Sequence, residues 1–358
     1  MDSVLGPSGF EELIPPTGRS LIPGLPDDIV LSILSRVPRK YHHNLKSVSK
    51  RWKDLVNSEE WYSCREKNDL AETWIYALCR DKSEQVSCYV LDLNSSKRRW
   101  KQMKSLPSCS FKRKGMGFEA MGRKLYLLGG CSWSEDATDE VYCYDTSTNS
   151  WSSVAPLSSA RCYFACEVLN EKLYAIGGLC SNSGDRHSWD IYDPCTNKWE
   201  PCLDITNIQN EIESSIVMDG KIYIRQRHVD SQAYALVYDP SSGTWEHSDS
   251  EMVSGWRGPA VIVDKTLYVL DQSSGTRLMM WNNEVKEWIP VGRFSALLTR
   301  PPCQLVAVGK IIVVVGKGLS SVIFNVDNAR TMEGLMVSSS IPRLDSDVDV
   351  LSCKCVTI

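Results

Sequence analysis

Chemistry in this chain would have to come from its histidines, cysteines and clustered carboxylates. Of its 358 residues five are histidine, His42, His43, His187, His228 and His247, and they show neither metal-ligand nor triad spacing. Fourteen cysteines include no Cys-x-x-Cys pair; Cys162/Cys166 and Cys353/Cys355 are closest, with no histidine at ligand spacing. Cys88, Cys143 and Cys166 lie in strand-like stretches, where cysteine serves as a small apolar filler. Gly115-Met116-Gly117-Phe118-Glu119-Ala120 matches the dinucleotide fingerprint, but that motif works at a strand-to-helix turn. Here it falls within a strand pattern, so it reads as accidental. Asp345-x-Asp347-x-Asp349 suggests a calcium loop, yet Val350 replaces the required glycine and Val356 the twelfth-position glutamate. The sequence therefore predicts no catalytic residues, no metal and no cofactor.

Bulk properties narrow the partners. A net charge of −4 offers no general attraction for nucleic acid or anionic membrane. Met1-Asp2-Ser3-Val4 lacks the basic flank and apolar core of a signal peptide. The longest aliphatic run, Ile311 to Val315, is far below the ~20 residues needed to cross a bilayer. The expectation is a soluble protein of the cytoplasm and/or nucleus with reduced thiols. The cationic run Lys112-Arg113-Lys114 could meet acidic partners or act as a nuclear signal. The run at Lys97-Arg98-Arg99 sits in a hairpin pattern and reads as a solvated turn.

Two periodicities divide the chain. From Leu21 to Tyr62 the pattern is helical. Pro26-Asp27-Asp28 suits a first helical turn, and Ile29, Ile33, Leu34 and Val37 form one apolar stripe that Pro38 ends. Leu45, Val48, Trp52, Leu55 and Val56 form a second stripe, with Ser47 or Ser49 as caps. So small a module cannot bury this much apolar surface within itself, which implies a partner.

From about Glu72 the period becomes that of strands, and it repeats. An apolar residue followed by tyrosine recurs at Tyr76, Tyr126, Tyr174, Tyr223 and Tyr268, then as Ile311-Ile312, in steps of 50, 48, 49, 45 and 44. A second series pairs aromatics seven apart: Tyr144/Trp151, Tyr192/Trp199, Tyr238/Trp245 and Trp281/Trp288. Between them, Asp145, Asp193, Asp239 and Asn282 open a turn. Asn149, Asn197 and Gly243, four positions later, tolerate a left-handed backbone; Lys286 completes the series. Six units of this length, each with several short strands, predict a six-bladed β-propeller.

Gly129-Gly130 and Gly177-Gly178 followed by the seven-spaced aromatics resemble the kelch repeat. Leu25-Pro26-Asp27-Asp28-Ile29 with Val48-Ser49-Lys50-Arg51-Trp52 resembles an F-box. The whole is similar to plant F-box/kelch-repeat proteins. The domains expected are a flexible segment over 1–19, an F-box over 20–66 and a kelch propeller over 70–358. The resemblance implies a substrate-recognition subunit of an SCF (Skp–cullin–F-box) ubiquitin ligase. Its F-box would dock a Skp-type adaptor, and through it cullin, while the propeller binds the protein to be ubiquitinated. By position, Leu25, Pro26, Ile29, Ile33, Leu34, Val48, Trp52 and Leu55 would enter the adaptor interface. Some of them, Trp52 above all, could instead hold the module together. Tyr41-His42-His43-Asn44 is more polar than is usual for the middle of an F-box. Two alternatives are a kelch scaffold whose helices pack on its own propeller and a kelch copper oxidase. The oxidase would need a Tyr/His ligand set that the sequence does not display.

The client-binding rim is sought thirteen residues before each repeat tyrosine, where the chain enters a blade. Those positions are Arg113, Arg161, Asn210 and Gly255, the last followed by Trp256 and Arg257; Arg300 is comparably placed. Arginine and tryptophan are typical binding anchors, suited to an acidic or phosphorylated client. Finally, the first repeat lacks an inner strand, whereas Val348 to Val356 alternates like a strand with no repeat after it. That tail is expected to complete the first blade.

Overall fold

Serines break the helical region into more pieces than its apolar stripes suggest. The computed structural model describes residues 20–103, 106–107, 112–134, 136–180, 189–203, 212–227, 233–273, 275–329, 339–344 and 347–358. The expected flexible segment over 1–19, and Asn210, His187, His228 and Asp345, lie outside the described residues. The chain divides between Ala71 and Glu72 into two compact units. In the first, α1 spans Asp27–Leu34, α2 His42–Val48, α3 Lys50–Asn57 and α4 Glu59–Lys67. The single stripe read over Leu45–Val56 is two helices. Ser49 is extended between them, and its hydroxyl accepts from the Trp52 amide at 3.2 Å. Ser58 caps α4 in the same way through Trp61.

The core of this unit is Val30, Leu31, Leu34, Val56, Trp61 and Tyr62. The α1 stripe is thus shifted: Val30, Leu31 and Leu34 face inward, and Ile29 and Ile33 face solvent. His42 meets the Trp61 ring edge-on at 5.2 Å, and its Nε2 donates to the Val37 carbonyl at 3.1 Å. Burial, with Arg65 nearby, drives its imidazole down to about 3, so the ring is neutral. Arg65, only 1% exposed, donates to the carbonyls of Ser35, Val37 and Leu70 at 2.6, 2.9 and 2.7 Å. Its guanidinium fork thereby satisfies the C-cap carbonyl of α1 and two carbonyls of the connecting segments after α1 and α4.

The second unit is a six-bladed propeller of four-stranded antiparallel sheets. Blades 2 to 6 begin with inner strands Gly117–Met121, Ala165–Leu169, Ile212–Met218, Ala260–Val263 and Gln304–Val308. The fingerprint-like glycines lie at and before the first of these, away from any helix. The turn chemistry repeats at atomic level. Asp145, Asp193, Asp239 and Asn282 each accept, through Oδ1, the amide two residues on at 2.7–2.9 Å. Asn149, Asn197, Gly243 and Lys286 all have φ between +51° and +67°. The seven-spaced aromatics face each other across the resulting hairpins, with ring centroids 5.0–5.5 Å apart. Gly129 (φ +57°) is required by a close approach: a Cβ there would stand 2.4 Å from the Arg161 carbonyl.

Blade 1 combines the two ends of the unit. Its order is Asp349–Thr357, Thr73–Arg80, Val86–Asp92, Lys101–Gln102. The closing strand runs antiparallel to Thr73–Arg80, with a bulge at Leu78/Cys79. Reciprocal amide bonds between Glu72 and Ile358, at 2.8 and 2.9 Å, extend the ladder. The seam behind it is apolar: Ile75, Leu91, Trp100, Val313, Val350 and Cys353 share one cluster.

Candidate docking and client-binding surfaces

The helical unit keeps an uncovered apolar strip. Leu25, Ile29, Ile33 and Val48 are 38%, 45%, 52% and 60% exposed, and Pro26 is exposed beside them. Isolated exposed aliphatics are ordinary, but Leu25, Ile29 and Ile33, four residues apart on the entry and outer face of α1, with Val48 at the end of α2, form an anchor set on one small unit. Trp52 and Leu55 are half-buried. The Trp52 indole donates to the Leu21 carbonyl at 3.2 Å, and the Leu21 amide donates to Asp27 at 2.8 Å. Trp52 therefore ties down the segment that presents Leu25. Leu34 is a correction: at 9% exposure it packs inside the unit and is no surface anchor. The i, i+4 stripe was legible in sequence, but which side of it meets the other helices was not.

The expected client-binding rim needs larger corrections. Arg161 has no exposed side-chain surface; its guanidinium donates to Asp190 at 3.0 Å and to the Gly177 carbonyl at 3.1 Å. Burial raises the Asp190 carboxyl even against the pull of Arg161. Arg113 is 7% exposed and pairs with Glu140 at 2.6 Å. Trp256 is fully buried among Ile216, Val253, Leu267 and Trp281, where it follows the short helix Ser250–Gly255 that fills the seam of blades 4 and 5. Spacing located these residues along the chain, and their side chains turn inward because blade seams need filling. Only Arg257 and Arg300 of the five stand exposed.

Other residues at that end of the blades escaped the pattern. Antiparallel order puts the segments before each inner strand and the links between second and third strands at the same end. There Trp133 is 90% exposed, with the Lys114 ammonium 5.0 Å from its ring centroid, and Tyr163 is 46% exposed. Trp133 belongs to no repeat series, and that was the available signal.

Near the propeller axis lies a polar cluster that the spacing did not reveal. The inner-strand residues facing Tyr76, Tyr126 and Tyr174 are Lys354, Glu119 and Glu167. Lys354 contacts Glu119, and Glu167 accepts from the Ser215 hydroxyl of blade 4 at 2.6 Å. Burial pushes the Glu167 carboxyl up to about 7; Lys354 opposes the rise and Glu119 adds to it. For Lys354, burial disfavours the charge, but the two glutamates outweigh it and hold its pKa above the usual range. Separately, a cleft of about 540 Å³ lies between blades 4 and 5, with Met218, Met280 and Trp281 in its wall. Two of its lining lysines are paired, Lys221 with Asp239 at 3.0 Å and Lys286 with Asp249 at 3.5 Å. Among the described residues no group of three or more His, Cys, Asp or Glu could hold a metal ion.

The architecture is thus a capped four-helix module with exposed aliphatics, followed in the chain by a six-bladed propeller. The F-box domain profile matches residues 22–63, and that of the FKB95, Kelch-repeats domain matches 75–332. The chain belongs to the F-box/kelch-repeat family. It is 51% identical to the F-box/kelch-repeat protein SKIP4 of Arabidopsis thaliana over 95% of both chains. It is also 24% identical to F-box/kelch-repeat protein SKIP30 of the same plant, over 94% of this chain and 95% of that one. No helix among the described residues is long and apolar enough to cross a membrane.

Proposed function

We propose that this chain is the substrate-recognition subunit of an SCF-type ubiquitin ligase, acting in the cytoplasm and/or nucleus without catalysis of its own. Its F-box docks a Skp-type adaptor, and through it cullin; its propeller binds the protein to be ubiquitinated. The observation that carries the reading is the exposed strip Leu25, Pro26, Ile29, Ile33 and Val48 on an F-box unit whose core is otherwise closed. On the propeller, Arg257 and Arg300, with Trp133 and Tyr163, are the residues assigned to the client. The test is co-purification with a Skp-type adaptor. Replacing both Leu25 and Pro26 with alanine is expected to abolish it while the propeller stays folded, because anchor truncations cost about 2 kcal/mol or more each. Undiminished co-purification of the double variant rules the assignment out.

A further inference from the structure

We infer that the cluster at the axis is a proton-operated clasp on the closing strand: Glu167 is the carboxyl that gains or loses the proton, and Lys354 carries the change to the strand that shuts the ring. The case begins with where the charges sit. Blades 1, 2 and 3 place Lys354, Glu119 and Glu167 at one register position, opposite the repeat aromatics. Blades 4, 5 and 6 place the uncharged Ile216, Val261 and Ala307 at that position. One ammonium therefore answers two carboxylates at a site where Glu119 is buried and Glu167 and Lys354 are half-buried, which favours a proton on one of the two carboxylates.

The two carboxylates are not equivalent. Glu119 has the Lys354 ammonium on Oε2 and the Ala120 amide on Oε1, at 2.9 Å. Glu167 has the neutral Ser215 hydroxyl as its hydrogen-bond partner. Around it stand Glu119 from blade 2, Lys354 from the closing strand, Cys166 on its own strand and Ser215 from blade 4. Glu167 is the site of the proton, and its titration near 7 agrees with that placement.

The consequence has a sign. A carboxyl raised from 4.5 to about 7 on folding adds stability below about pH 4.5. That stability is lost as pH rises through about 7. Above that pH the channel holds an additional negative charge. Glu167 then competes with Glu119 for Lys354, the side chain that ties the closing strand to blade 2. The ring is thus held more firmly in mildly acidic than in mildly alkaline solution.

The experiment is thermal unfolding of the whole chain across about pH 5 to 8.5, for the natural sequence and for Glu167→Gln, Lys354→Met and Glu119→Gln. The melting temperature of the natural chain, measured relative to Glu167→Gln, should fall by several degrees as pH rises. Lys354→Met should move the midpoint of that fall to higher pH, and Glu119→Gln to lower pH. A merely structural cluster would lower melting temperatures without moving a midpoint. Coincident profiles for the natural chain and Glu167→Gln, or one midpoint shared by all, would overturn the inference. If the variants fail to fold, amide exchange of the natural chain decides. Protection at Lys354 and Cys355, corrected for intrinsic pH dependence, must decline through neutrality, and constancy overturns the inference.

Discussion

Removing the guanidinium of Arg161 would leave the fully buried Asp190 carboxylate with Ser158 as a hydrogen-bond partner but without its counter-charge. Breaking one side of such a pair costs about 3–5 kcal/mol, whereas replacing both partners with apolar groups is often neutral. Arg161→Met is accordingly expected to lower the urea midpoint sharply, and Arg161→Met with Asp190→Leu to regain most of the loss. Equal destabilisation by the single and double variants would show that the pair is not the source. The same residue shows what spacing could and could not deliver. Its position thirteen before a repeat tyrosine was readable, but a side chain's direction depends on what lies beneath it. Asp190, a carboxylate between Trp189 and Ile191 in an otherwise apolar strand, was a legible hint that some cation must be buried there. Arg65, beyond the last residue of the helical pattern and before the first strand, gave no such hint. Its three carbonyl partners come from turns 5 to 30 residues away.

Local elements were more legible where one residue sets the backbone. The turn residues of the outer hairpins announced themselves because φ near +55° admits few side chains at low cost. Asn197 does more than turn the chain: its Oδ1 accepts from Tyr192 Oη at 2.9 Å and from the Ala155 amide at 3.0 Å. The hairpin of blade 3 is thereby joined to the end of blade 2. Asn197→Gly keeps the backbone freedom and loses both bonds, so it should cost about 1–3 kcal/mol and Asn197→Ala somewhat more. Chemical denaturation of the two variants checks the order; a harmless glycine would mean the side-chain bonds contribute nothing. The helical unit was less legible. Ser49 was legible as one of two candidate caps, but the apolar stripe, which starts before it at Leu45, did not reveal that it separates two helices.

At the scale of the molecule, the repeat count and the orphan tail were legible because a propeller needs equal blades, and one blade was short by a strand. The axial cluster was hidden because each member is a single polar residue in a different repeat. Deleting 348–358 strips Thr73–Arg80 of its inner ladder, leaving only its pairing with Val86–Asp92, and opens the apolar seam behind Val350 and Cys353. The expected outcome is a loss of cooperative melting and a tendency to aggregate, far beyond terminal fraying. A truncated chain that melts at the natural temperature would contradict this. The same arrangement places a constraint on synthesis. Thr73–Arg80 leaves the ribosome early, while its partner emerges only after every other blade has been made. At ordinary elongation rates that interval is on the order of ten to fifty seconds. Throughout it the nascent chain carries an unpaired apolar strand edge, so its dependence on chaperones should be concentrated in blade 1, and any premature stop upstream of the closing strand yields a ring that never shuts.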